Sequence, residues 1–466
     1  MSTSIDEKFA PFAERMRNEN MPELAIKSFK YYYSQLVEGK TGFIRAADIE
    51  TVEDIPDVES ISEQTANIGQ AALSSAVILK LNGGLGTSMG LEKAKSLLQI
   101  KGEYSFLDII AQQALALDIP LVLMNSFATE EDSLAFLEKY PKLWKSGINL
   151  SFLQHKVPKV KQADLTPVTW DENPGLEWAP PGHGNIYSAL VTSRMLDKLL
   201  EAGFKYAFIS NSDNLGAVID TKILGHLVET QAPFLMEVAE RTEMDIKGGF
   251  PVRYRDGKLL LWEIAQCPPE EKHIHQDIER FNYFNTNSIW INLVALKEEM
   301  EKKENNLQLP MIRNEKTVDP NKSDSTTVFS LETAQGAAIS AFEGSQPVRI
   351  PRNRFNPVKT TNELLAIRSD AYTLTSDFRI ILNPERSLPR PVVMLDSRYY
   401  RLLNDLESRF PVEVPSMLNC RSLSIEGDIK FGKNVVFKGD VQLINSSKDQ
   451  VILEDILIGD REWKMG

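Results

Sequence analysis

Apolar positions change their period twice along this chain. Between residues 5 and 45, Phe9, Phe12, Met16, Met21, Leu24, Phe29 and Tyr32 recur every three to five residues, broken once by Pro22. That spacing predicts an amphipathic helical segment with one interruption. An acidic stretch from Ile49 to Glu63 follows, carrying Glu50, Glu53, Asp54, Asp57, Glu59 and Glu63, and reads as a solvated connector on the surface. Between residues 70 and 385, short apolar runs of strand length alternate with helix-length segments. The runs include Val77–Leu81, Leu121–Met124, Tyr206–Ile209, Phe234–Val238 and Ile289–Ile291; the helical segments include Phe106–Leu117, Asn185–Leu200 and Thr221–Glu229. Strands alternating with helices predict an α/β fold with a mostly parallel sheet covered on both faces. The polar segment 301–327, rich in Asn and Lys, reads as a surface loop.

In the tail, Leu423, Ile429, Val435 and Val441 are spaced by six, and so are Ile425, Phe431, Phe437 and Leu443. Gly427, Gly432 and Gly439 fall where corners would be. Paired apolar positions at that period predict a β-helix whose coils stack their apolar side chains, acting as a cap or as a self-association surface. The expected organisation is a helical segment and connector over 1–65, a catalytic domain over 66–388 and the β-helix over 389–466.

The strongest chemical feature is VILKLNGGLGTSMG, residues 77–90. An apolar strand runs into Gly83, Gly84, Gly86 and Gly90, where missing side chains let backbone N–H groups approach a ligand. Such amides cradle phosphate oxygens. The dinucleotide fingerprint would need glycine where Met89 stands, and the Walker A pattern would need glycine where Ala94 precedes Lys95 and Ser96. The loop is neither.

LNGGLGTSMG followed by LEKAKSLL resembles the nucleotide-binding loop of the eukaryotic-type UTP–glucose-1-phosphate uridylyltransferases, within the wider UDP-sugar pyrophosphorylase family. Ser88 and Met89 follow the glucose branch, not the N-acetylhexosamine branch. Further blocks resemble the family in its order: APPGHGNIY (179–187), ISNSDNLGA (209–217), MEV (236–238), DIKGG (245–249), FNTN (284–287) and RFNPVKTT (354–361). The resemblance implies a Rossmann-like, glycosyltransferase-A-like nucleotidyltransferase core with a C-terminal left-handed β-helix. It implies a reversible reaction of UTP with glucose 1-phosphate, giving UDP-glucose and pyrophosphate.

Two reacting anions require positioning and charge neutralisation more than covalent help. Lys95 follows the glycine loop, where a lysine is unfavourable unless an anion is near; the resemblance makes it a phosphate contact at the reacting centre. Asp213 stands just past an apolar strand, where open α/β sheets bind ligands. The resemblance makes it the Mg²⁺ ligand, in keeping with a cation usually held by one or two carboxylates and substrate phosphates. It also brings Lys359, in a cluster with Arg352 and Arg354, to the phosphates from the opposite side of the cleft. Leu81, Asn82, Gly83, Gly84, Gly86, Thr87, Met124, Gln162 and Gly182 are by resemblance the nucleotide contacts, with the Gln162 amide and the Gly182 backbone at the uracil. His183, Asn211, Glu237, Asn285 and Asn287 are by resemblance the sugar contacts.

Composition narrows the alternatives. In 466 residues, 52 Lys and Arg face 65 Asp and Glu, a formal net charge of -13. That balance argues against nucleic acid or an anionic membrane as partner. Cys267 and Cys420 are the only cysteines, and no apolar run reaches membrane-spanning length. The N-terminus lacks a basic region followed by an apolar one, so a cytoplasmic protein is expected. A broader-specificity UDP-sugar pyrophosphorylase and a non-catalytic sugar-nucleotide sensor remain as competing readings. A nicotinamide-dependent oxidoreductase fails on the glycine spacing.

Overall fold

The computed structural model describes residues 4–465. Its centre is a seven-stranded sheet: β1 (Ala76–Asn82), β2 (Leu121–Asn125), β3 (Ser151–Leu153), β4 (Tyr206–Asn211), β5 (Phe234–Glu240), β6 (Tyr283–Asn292) and β7 (Gln346–Arg349). The strand order is β7-β5-β6-β4-β1-β2-β3. Every neighbouring pair is parallel except the two made by β6. The buried strands read as near-continuous apolar runs because both faces are covered. Val77 and Leu79 face a core with Ile186 and Leu190, while Ile78 faces a second core with Leu107, Ile110 and Trp290.

The helix Phe106–Leu117 begins at a capping box, Ser105 with Asp108, and stops at Asp118 in the left-handed region (φ 52°). The helical run expected over 185–200 is two helices, Ile186–Thr192 and Met195–Glu201, because Arg194 between them adopts φ 60°. At the N-terminus, helices Ile5–Asn18 and Glu23–Val37 meet through Phe9, Phe12, Phe29 and Tyr33, with the break at Pro22.

Two expectations need correction. The segment 301–327 is not a plain surface loop. Leu307, Leu309 and Met311 are buried, and Ile312–Thr317 is a strand paired with Thr327–Glu332. Its core-facing apolar residues are too few and too unevenly spaced to reveal it. The acidic connector is also more than solvated chain: Ile49–Thr51 pairs with Val252–Tyr254, and Asp57 and Glu59 both meet Arg349.

In the tail, all eight apolar positions of the sixfold pattern are buried. Strands Ser416–Glu426 and Val435–Asn445 pair in parallel, with Leu423 beside Val441 and Ile425 beside Leu443. Gly427 (φ 86°) and Gly439 (φ 72°) turn corners that favour glycine. This stack shares one apolar cluster with Met89, Leu98, Val358 and Leu364 of the main body.

Candidate active site

The carboxyl ends of β1, β4 and β5 and the start of β6 meet at one edge of the sheet, where open α/β sheets bind ligands. The glycine loop leaves β1 there. Gly86 has φ 71°, and a side chain on it would lie 2.8 Å from Leu91 Cδ1 and 3.1 Å from Lys95 Cγ. Only glycine fits so close a return of the chain. Beside Gly84 the space is open, and its carbonyl accepts from the Lys95 N–H at 3.1 Å. The loop therefore folds back and delivers Lys95 to the mouth of its own cradle.

Lys95 Nζ donates to Asp213 Oδ2 at 2.6 Å. The second oxygen, Oδ1, is buried and accepts no hydrogen bond. A buried, unpartnered carboxylate oxygen is costly and marks a place for a ligand. It is a hard oxygen donor, which fits a cation that takes its other ligands from phosphates. Among the described residues no group of three or more His, Cys, Asp or Glu could hold a metal alone.

The loop that carries Lys359 is fastened to the Asp213 turn: the Val358 N–H donates to the Asp213 carbonyl at 3.1 Å, and Asn214 bridges to Pro357. Lys359 itself lines a cavity with Lys247, Gly248 and Asn285. The segments of Lys95, Asp213 and Lys359 thus meet although 264 residues separate the first from the last.

On the sugar side expected from sequence, Asn287 Nδ2 donates to Asn211 Oδ1 at 2.9 Å, and the Asn287 N–H to Asn285 Oδ1 at 2.9 Å. Asn287 sits at φ 62° with its own Oδ1 buried and unpartnered. His183 Nδ1 accepts from the Gln335 N–H at 2.9 Å, which leaves Nε2 as the protonated donor. Burial pushes its pKa down to about 4, so the ring is neutral near pH 7. Gly182 (φ 78°) packs 2.4 Å from the Thr333 carbonyl by the position its Cβ would take, so this loop too requires glycine. Behind it, the Asn185 side chain binds His155 through both its amide groups.

On the base side expected from sequence, Gln162 Nε2 donates to the Val328 carbonyl at 3.2 Å, on the strand that leads to Thr333 and the Gly182 loop. Met124 is buried next to Leu81 in the sheet register. Thr87 is exposed at the start of a short turn. The Asn82 side chain turns inward to Asn125 Oδ1 (2.7 Å) and Ser133 Oγ (2.9 Å), so it supports the loop from beneath.

Glu237 is not with the sugar-side group. Asn285 and Asn287 share a face of β6 with Ile289 and Ile291, whereas Glu237 lies on the sheet's other face. Its Oε1 accepts from Trp290 Nε1 and Arg354 Nη2, both at 2.8 Å, and Oε2 accepts from Arg354 Nε at 3.3 Å. Arg354, grouped with Lys359 by sequence, is likewise spent on this buried pair. Arg352 pairs with Asp245 at 2.7 Å.

Two residues that touch the candidate site residues are not singled out in the sequence. Glu263 approaches Gly249, where a Cβ would meet its carboxylate at 2.5 Å, and the Gly249 carbonyl accepts from the Asn285 N–H at 2.8 Å. Burial raises the Glu263 pKa to about 7, opposed by Lys359. The signal was present: like Asp213, it is a carboxylate closing an apolar strand. Gln335 is fully buried and also donates from Nε2 to the Asn287 carbonyl at 2.7 Å. No local pattern announces it.

The family model described as UTP–glucose-1-phosphate uridylyltransferase matches residues 26–438. The chain belongs to that family. It is 41% identical over 414 residues to the UTP–glucose-1-phosphate uridylyltransferase of Solanum tuberosum, covering 87% of this chain and 83% of that one. It is 38% identical over 420 residues to that of Saccharomyces cerevisiae, covering 87% and 82%. Among solved structures, the UDP-glucose pyrophosphorylase of Leishmania major, known in open and closed forms, superposes with a TM-score of 0.91 at 39% identity over 100% of both chains. A mutant of that enzyme in complex with UDP-glucose gives 0.90 at 39% identity, again over 100% of both chains. For this uridylyltransferase-family chain, the agreement spans the C-terminal stack as well as the sheet. Among the described residues no helix is long and apolar enough to cross a membrane.

Proposed function

We infer that this chain is a UTP–glucose-1-phosphate uridylyltransferase. The phosphate oxygen of glucose 1-phosphate attacks the α-phosphorus of UTP in line. The bond from that phosphorus to the β-phosphate's bridging oxygen breaks, and pyrophosphate leaves with the electron pair. The attacking oxygen is already ionised, so no general base is required. The observation that carries the reading is the Lys95–Asp213 pair at the end of a glycine loop, with the Lys359 segment bonded to the Asp213 turn. Both lysines serve to offset the repulsion between two anions and the charge that builds on the leaving group.

Asp213 would hold Mg²⁺ through its unpartnered oxygen. When bound, the cation supplies charge neutralisation between the α-phosphate and the leaving pyrophosphate. The backbone of Gly83, Gly84 and Gly86 receives phosphate oxygens, with Leu81 and Thr87 at the loop's two ends. Gln162, Met124 and Gly182 receive the base. His183, as a neutral donor, acts with Asn211, Asn285 and Asn287 on the sugar phosphate, joined by Glu263. We read the C-terminal stack as a left-handed β-helix domain following residue 388 and available for self-association, and the enzyme as cytoplasmic.

The test is pyrophosphate release from UTP with Mg²⁺ and, in separate assays, glucose 1-phosphate, galactose 1-phosphate and N-acetylglucosamine 1-phosphate. Fast release with glucose 1-phosphate alone is expected. Comparable rates with several sugars would mean a broader enzyme, and no release would leave a sensor.

A further inference from the structure

A lysine stands within a buried central strand of the sheet. Lys80 of β1 is 2% exposed and points to the face opposite the substrate-side core, alongside Ile78 and Phe208. Its Nζ donates to Ser210 Oγ at 2.6 Å and to the Ala217 carbonyl at 2.9 Å. Those two acceptors bracket the 211–216 turn that presents Asp213. Lys80 itself lies three residues before Gly83, and it pairs with Ser210 in the parallel register. One ammonium group therefore fastens together the root of the glycine loop and both ends of the Asp213 turn.

A cavity of about 110 Å³ opens beside the buried side chain, lined by Ile110, Gln113, Leu117 and Ala217 among others. Burial lowers the Lys80 pKa to about 7, with Glu237 and Asp213 raising it and Arg354 lowering it. An apolar residue of the same length would avoid that desolvation cost but leave the Ser210 hydroxyl and the Ala217 carbonyl without this donor, at a cost in stability for each acceptor left unpaired. The ammonium therefore joins two segments that no apolar side chain at this position could tie together.

We propose that Lys80 is a positioning residue, aligning Asp213 with the glycine loop and Lys95 from beneath the sheet. The inference rests on the reading of Lys95 and Asp213 given above. A misplacement of about 1 Å can cost on the order of a hundredfold in rate.

The experiment compares Lys80→Met, Lys80→Arg and Ser210→Ala with wild type, measuring thermal melting, kcat, the KM for UTP and the Mg²⁺ concentration giving half-maximal rate. Lys80→Met should fold with a lowered melting temperature, lose about ten- to a hundredfold in kcat/KM for UTP and, as a merely structural loss would not require, need more Mg²⁺. Lys80→Arg, for which the cavity leaves room, should recover part of the loss, and Ser210→Ala should show a smaller loss of the same kind. If Lys80→Met fails to fold, the other two variants carry the test through the same Mg²⁺ shift. Wild-type kcat/KM and Mg²⁺ dependence in the folded variants would overturn the proposal. Combining Lys80→Met with Asp213→Asn separates the layers. Losses smaller than multiplicative are expected if Lys80 acts through Asp213, and fully multiplicative losses would overturn that. An Asp213→Asn enzyme with wild-type turnover would instead overturn the reading of Asp213 itself.

Discussion

Cutting one partner from the Glu237–Arg354 pair should unfold more of the protein than cutting both. Glu237 is 0% exposed and Arg354 7%, and three hydrogen bonds join the carboxylate to its neighbours. Glu237→Leu leaves the guanidinium buried, with only the Val218 carbonyl at 2.9 Å and Asp220 at 3.4 Å. Removing one member of a buried pair typically costs about 3–5 kcal/mol, whereas replacing both with apolar residues of similar size is often near neutral. Those two residual acceptors place Glu237→Leu at the low end, ~3 kcal/mol. At ~2–4 °C per kcal/mol for a domain of 150–250 residues, and less for a larger one, the first melting transition should fall by ~5 °C or more. Glu237→Leu with Arg354→Leu should recover most of that. The assay is thermal melting followed by circular dichroism, paired with the KM for glucose 1-phosphate. A double variant that melts below both single variants would refute the electrostatic reasoning. A folded Glu237→Leu protein whose only defect is a raised KM for glucose 1-phosphate would return Glu237 to the sugar site.

Lys95→Ala and Lys359→Ala should each lower kcat by ~10²–10³ with normal melting, the cost of losing one preorganised charge contact; unchanged pyrophosphate release would sink both roles. His155, His183 and His275 are each pushed by burial from 6.5 to about 4. The unfolded chain binds protons at these positions first, so each histidine contributes stability that is present above pH 6.5 and is lost as pH falls towards 4, at up to ~1.4 kcal/mol per pH unit. Glu263 has the opposite sign: its pKa is raised to about 7, so its contribution is intact below 4.5 and disappears as pH rises through 7. Melting temperature should therefore still climb from pH 4.5 to 6.5, three groups against one, and a flat profile would contradict the histidine burial. Glu263→Gln should raise the melting temperature at pH 8 relative to wild type and do so less at pH 5, since the amide avoids a buried charge only where that charge exists.

What the sequence made legible is what a local pattern can encode. The strand-to-glycine transition at 77–90 marked the loop that folds Lys95 back to Asp213 because strand, turn and Lys95 are contiguous. The carboxylate after Tyr206–Ser210 located Asp213 by its place at a strand end. The sixfold tail pattern marked residues that are in fact stacked and buried. What escaped depends on pairs far apart in the chain. Gln335 matters through His183 and Asn287, 152 and 48 residues away. The strand Ile312–Thr317 owes its existence to Thr327–Glu332 and not to an apolar period of its own.

Glu237 and Lys80 were misread or passed over for one physical reason. A strand of a covered parallel sheet should be apolar on both faces. A charge inside such a strand breaks that rule and must be paired and hydrogen-bonded to survive. Resemblance drew Glu237 towards the ligand, yet a charge on the far face of the sheet cannot reach it. Side-chain alternation supplies the missing step: in the parallel register with β7, Glu237 stands beside Val348 of the core on the face away from Asn285 and Asn287, and register with Ser210 puts Lys80 on that same face. Both charges then stand on the face behind the candidate substrate residues, on strands whose ends form the candidate site. Breaks in local consistency of this kind are expected where function is supported. The same alternation, applied to any charged residue within the apolar runs, separates groups that touch the substrate from groups that hold those groups still.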